Sequence, residues 1–149
     1  MNLGVNRECG DCHACCSVPK IAEVAKPART PCRHLCATGC SIHDIKPAVC
    51  RDFLCAWRVM PEIDESWRPD RIGLLGIFGL TDTGKRAVQF IPFRNVLGLP
   101  SIGKELRRLA SVFEVWIGLS GEWPPSRRLR LNDLPNRSAW RKIGALQTT

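Results

Sequence analysis

Apolar and polar positions divide the chain into two unlike parts. From Cys9 to Trp57 neither a period of 2 nor one of 3.6 is sustained, and prolines at 19, 27, 31 and 47 interrupt the segment. Loops and short helical turns are predicted there, organised by something other than an apolar core. The most helical piece runs from Lys46 or Pro47 to Arg58. Pro47 suits a first turn, Cys50, Phe53, Leu54 and Trp57 share one face, and Cys55 falls just off it.

The second part is patterned. After a Met-Pro-Glu-Ile-Asp-Glu-Ser connector, Arg71 to Leu80 is apolar enough for a buried strand, Thr81-Asp82-Thr83-Gly84 has turn chemistry, and Arg86 to Phe93 returns as a second strand. Pro92 confines that strand to an edge or to its own end. Ile102, Leu106, Leu109, Ala110, Phe113, Trp116 and Ile117 recur at helical spacing, which predicts one amphipathic helix from Ser101 to Gly118. Ser101 is its expected N-cap, and Lys104, Arg107, Arg108 and Ser111 are its wet face. Trp123-Pro124-Pro125 reads as a rigid turn and Leu129 to Leu131 as a short extended piece. Gly79-x4-Gly84-Lys85 imitates a phosphate-binding loop, but Arg86 stands where Ser or Thr would hold magnesium, so it is read as a hairpin turn. The expected fold class is α+β. Residues 1–60 form a cysteine-rich region and residues 61–149 a small antiparallel hairpin with one amphipathic helix, together one integrated domain.

A chain of 149 residues makes about one domain, small enough for a metal staple to matter. Nine cysteines occur, all between Cys9 and Cys55. No apolar run that could serve as a signal-peptide core precedes them, and Ile72 to Leu80 is too short to span a bilayer. A reducing cytoplasm and no membrane association are therefore expected, which turns the cysteines from a disulfide framework into candidate metal ligands. An odd number of thiols points the same way. The formal charge of +8 treats them all as neutral. If eight ionise around two divalent ions the sum falls to roughly +4. The basic surplus lies in residues 101–149, nine basic against four acidic groups. Arg127, Arg128, Arg130, Arg137, Arg141 and Lys142 could touch nucleic acid, but a solvated face is the commoner use of such a tail.

The cysteines fall into three groups: Cys9-x2-Cys12-x2-Cys15-Cys16, Cys32-x3-Cys36-x3-Cys40 and Cys50-x4-Cys55. Such gaps let a tight turn aim two sulfurs at one ion about 2.3 Å from each. Adjacent Cys15 and Cys16 diverge on an extended backbone and so more naturally serve two ions. Two four-sulfur zinc sites with one spare thiol, a sulfur-bridged cluster, and a single cubane cluster all remain open. Cys9, Cys12 and Cys15 match the start of the bacterial ferredoxin spacing, while ligands from three segments that lack a core suit zinc. Of the three histidines among them, His34 is the best placed to substitute for a thiolate. Cys9-Gly-Asp-Cys12 could also exchange thiols, but no βαβ context surrounds it.

Cys9-x2-Cys12-x2-Cys15-Cys16, then Gly39-Cys40-Ser41-Ile42, Lys46-Pro47 and Cys50-Arg51-x-Phe53-x-Cys55-x-Trp57, resemble the CxxCxxCC zinc- or iron-chelating domain family, the YkgJ-type cysteine-cluster proteins. The likeness covers roughly residues 9–72, including Trp67-Arg68-Pro69-Asp70. Carried over by position, it implies ligand roles for Cys9, Cys12, Cys15, Cys16, Cys32, Cys40, Cys50 and Cys55, with Phe53 and Trp57 packing around the site. His43 departs from the usual Tyr and Lys46 from the usual Arg; neither is a ligand position. Cys36 has no counterpart and is either a ninth ligand or a free thiol. The expected function is chelation of zinc or iron, with iron as an iron-sulfur cluster in one version. The rival functions are an iron-sulfur enzyme of redox or methyl-transfer type and a zinc-stabilised interaction or nucleic-acid module.

Overall fold

The computed structural model describes residues 5, 7–119 and 128–134. The Trp123-Pro124-Pro125 turn and Arg127, Arg137, Arg141 and Lys142 lie outside them. Among the described residues the fold is mixed α+β, with one two-stranded and one four-stranded sheet. In the cysteine-rich part, α1 (Ala14–Ser17), α2 (Ala48–Arg51) and α3 (Ala56–Val59) are each one turn long, and the β1–β2 ribbon (Leu35–Cys36 with Gly39–Cys40) has two residue pairs. After α4 (Pro69–Ile72), which ends on Gly73 at φ +78°, the chain enters β3 (Leu74–Leu80) and returns as β4 (Arg86–Pro92). Pro92 closes its own strand, as expected.

Two sequence expectations fail here. The helix predicted from Ser101 to Gly118 is α5 (Pro100–Ala110) followed by β5 (Glu114–Gly118). Leu99 caps α5 and Pro100 takes its first turn, so Ser101 lies inside it. Phe113, Val115 and Ile117 are buried at a spacing of two, and burial against β4 outweighs the helical register that Phe113, Trp116 and Ile117 also satisfy. β5 runs parallel to β4, so β4–α5–β5 is a crossover unit, and β6 (Arg128–Arg130) pairs antiparallel with β5. The hairpin is thus half of a sheet ordered β3-β4-β5-β6.

The helix predicted from Pro47 to Arg58 likewise breaks, into α2 and α3. Between them the backbone lies against the free edge of β3: Phe78 N–H donates to Leu54 O at 2.9 Å, and Cys55 bridges Ile77 antiparallel. An open sheet edge recruits strand partners strongly enough to interrupt a marginal helix.

The sheet is covered on both faces, which is why β3 reads as a continuous apolar run. One face carries Leu74, Phe78, Val88 and Phe90 against Trp57, Met60, Trp67 and the stripe Ile102, Leu106 and Leu109 of α5. The other carries Leu75, Ile77 and Ile91 against Ala14 and Val18, with Cys12, Phe53 and Cys55 at its margin. No helix among the described residues is long and apolar enough to cross a membrane.

Gly76 sets how closely α3 approaches the sheet. A Cβ there would stand 2.9 Å from Phe90 Cε1 and 3.0 Å from Ala56 Cβ. Gly76→Val should therefore destabilise the fold by about 1–3 kcal/mol in urea titration, the usual cost of overpacking. Wild-type stability in that variant would show that the α3 contact is slack.

Candidate metal centre

The cysteines gather in two places. The first is built on the sheet. Ala14 and Val18 seat α1 on Leu75, Ile77 and Ile91, and the bridge to Ile77 holds Cys55 at the sheet edge. Cys12 N–H closes a turn on Cys9 O at 3.0 Å. Cys9, Cys12, Cys15 and Cys55 then line one cavity, walled by Ala14, Trp57, Pro69 and Leu75. Its free volume is about 20 Å³, room for one water-sized body.

Arg7 braces Trp57, which walls this cavity. Its guanidinium donates to the carbonyls of Trp57 and Ile63 (2.9 Å for Ile63), lies 5.5 Å from the Trp57 ring centroid, and its own carbonyl accepts from Arg58 Nε at 2.7 Å. Next to Pro69, which also walls the cavity, Arg68 pairs with both Asp11 and Asp70, at 2.8 and 2.6 Å. The Asp70 carboxylate is held below its ordinary range chiefly by that arginine, and it also contacts the Cys12 thiol.

The second gathering has no sheet under it. Cys32 N–H donates to Cys16 O at 2.8 Å, Leu35 N–H to Cys32 O at 3.0 Å, and Leu35 pairs with Cys40 across the ribbon. Cys50 N–H donates to Pro47 O at 2.9 Å as α2 begins. The thiol of Cys50 is raised by burial and then by the nearness of Cys16, Cys32 and Cys40. Those four form the set.

Cys15 and Cys16 join the two. They sit on a helical turn, not the extended backbone assumed from the sequence, and their sulfurs interact directly. That contact and burial push the Cys15 thiol up, while the same contact, helped by His13, Lys26 and Lys46, pulls Cys16 down. Within the first set burial pushes Cys55 up to about 11, and Cys9 and Cys12 add to it. Cys12 is raised mainly by burial. Four thiols so placed cannot all ionise beside one another without a cation. All nine cysteines are free thiols. Four of them share one pocket, yet among the described residues no group of three or more His, Cys, Asp or Glu side chains could hold a metal ion as it stands.

The remaining candidates lie apart. Cys36 is exposed on the ribbon, with its sulfur 3.4 Å from Thr38 Oγ1 and 3.1 Å from Gly39 O. His34 Nε2 accepts from Arg33 Nε at 3.3 Å. Trp57 walls the first cavity and Phe53 packs beside Cys12 and Cys55. In the tail, Arg130 is paired with Glu114 and Asp133, and Arg128 lies 4.2 Å from the Trp116 ring centroid. Arg7 and Lys26 are not singled out by the sequence, since isolated basic residues give no signal before their burial is known.

No family model, curated protein or solved structure matches the chain.

Proposed function

We propose that the chain is a cytoplasmic metal-binding protein that chelates zinc or iron through two four-thiolate sets, Cys9, Cys12, Cys15 and Cys55, and Cys16, Cys32, Cys40 and Cys50. The observation that carries this reading is the run from Pro27 to Cys55. No residue in it is fully buried, yet it carries five cysteines. A segment with that little apolar burial cannot offset its own conformational entropy, and ligation would supply the difference. Crowded thiols that resist ionising beside one another are also the donors that a divalent cation turns into thiolates. The likeness to the CxxCxxCC proteins supports the same eight ligands. In this reading the lobe is metal-nucleated and docked on the sheet through Ala14 and Val18. Bound zinc would cross-link the loops; bound iron would add redox chemistry to the same cross-link.

Alkylation of the native protein under anaerobic conditions tests this by counting protected thiols. Iodoacetamide followed by peptide mass spectrometry should modify Cys36 about tenfold or more faster than the other eight, which react only after a chelator is added. Reaction of Cys9, Cys32 and Cys50 at rates indifferent to chelator would remove the proposal.

A further inference from the structure

Cys9 and Cys12 stand at the ends of a turn whose tip, Gly10 and Asp11, is exposed. Cys12 N–H closes the turn on Cys9 O at 3.0 Å, and Gly10 takes φ +58°, a left-handed backbone that suits glycine. A turn of this kind holds its end Cα atoms within about 7 Å of each other. A disulfide spans about 4.4–6.8 Å between Cα atoms, so the two spans match. Both cysteines also line the same cavity, so their side chains leave the turn on one side. Arg68 fixes the turn from outside: its guanidinium pairs with Asp11 at 2.8 Å and with Asp70 at 2.6 Å, tying the tip to α4. The other two thiols of the cavity are held elsewhere. Cys15 lies on α1, which Ala14 and Val18 seat on the sheet, and Cys55 is bridged to Ile77 of β3. Cys15 and Cys16 interact, but joining chain neighbours would close a small ring through a planar trans peptide.

We propose that Cys9 and Cys12 form a dithiol that closes to a disulfide, a redox switch built into this turn. The reaction is thiol–disulfide exchange with a small disulfide, for which oxidised glutathione is the probe. The Cys9 thiolate attacks one sulfur of glutathione disulfide, forming a mixed disulfide and expelling one glutathione thiolate, which takes up a proton. The Cys12 thiol gives up its proton, attacks Cys9 Sγ and expels the second glutathione. Two protein thiols thereby lose two electrons and two protons, and one glutathione disulfide becomes two glutathione molecules. Cys9 is the entry point because Cys12 packs at the margin of the Leu75, Ile77 and Ile91 cluster. The switch concerns the thiols themselves and does not rest on a metal being held there.

The test poises the full chain, purified anaerobically, in buffers of graded glutathione to glutathione disulfide ratio, followed by acid quench, alkylation and peptide mass spectrometry. Cys9 and Cys12 should pair with each other at a ratio about tenfold or more reducing than any other pair of cysteines requires. Cys12→Ser should instead retain glutathione on Cys9, about tenfold above the wild-type level. The proposal is overturned if Cys9 and Cys12 stay reduced across the series, pair only after other cysteines have, or join Cys15 or Cys55 instead. Cys12→Ser with no glutathione on Cys9 overturns it as well. If Cys12→Ser does not fold, the wild-type pairing decides alone. Wild type that closes this disulfide and carries no metal supports the switch while the metal reading fails.

Discussion

If the chain holds metal as proposed, a chelator should release residues 9–55 while the four-stranded sheet stays folded. The core explains the asymmetry. Trp57, Met60, Trp67, Leu74, Phe78, Val88, Phe90, Leu106, Leu109, Val115 and Ile117 form one buried cluster that draws on nothing before Cys55. The cysteine-rich part contributes Ala14, Val18, Ile21 and Val24 to the buried apolar set, and then nothing until Ala56. Its regular structure is a ribbon of two residue pairs and isolated helical turns, each too short to persist unsupported. Structural zinc in small thiolate sites is worth about 10–16 kcal/mol in apparent binding free energy at neutral pH. That is comparable to the whole stability of an ordinary domain. Hydrogen exchange with mass spectrometry, with and without chelator, should show protection collapsing across residues 9–55 and persisting in β3, β4 and β5. Equal protection in both conditions would mean that the loops hold themselves.

Serine replacements should divide the cysteines into three classes. At Cys9, Cys12, Cys15 or Cys55 the protein should lose one of the two proposed ions; at Cys16, Cys32, Cys40 or Cys50 it should lose the other; at Cys36 it should lose neither. The neighbouring pair gives the sharpest contrast. Cys15 lines the cavity with Cys9, Cys12 and Cys55, whereas Cys16 lies with Cys32, Cys40 and Cys50. Cys15→Ser and Cys16→Ser should thus release different ions, the other ion staying with its unaltered set. The expected loss is half of the bound metal per variant, read by metal analysis after desalting. Release of all metal by either replacement would point to a single bridged cluster across the Cys15–Cys16 contact.

Much of this arrangement is legible in the residues, and the failures have physical causes. The hairpin is plain because Thr81 to Gly84 has turn chemistry and β3 is apolar throughout. The end of β4 is marked by Pro92. Helical spacing carries the helix after Pro100 well past its Ala110 end, because Phe113, Trp116 and Ile117 satisfy the register of α5 while Phe113, Val115 and Ile117 satisfy the alternation of β5. Only the presence of β4 alongside decides between them. The break at Cys55 is hidden for a similar reason, since an open edge on β3 is a property of the folded sheet and leaves no trace in residues 47–58. The adjacency of Cys15 and Cys16 suggests two groups of cysteines, although through an extended backbone that the helical turn replaces. Arg7 depends on burial and on long-range carbonyl partners, and has no local signature.

The most direct measurement is metal and acid-labile sulfide per chain in protein purified anaerobically without added metal, with the visible spectrum recorded alongside. The account predicts bound zinc or iron filling both four-cysteine sets, either two zinc ions in a colourless protein or coloured iron accompanied by matching sulfide. A folded protein with no bound metal and nine freely titrating thiols would contradict it.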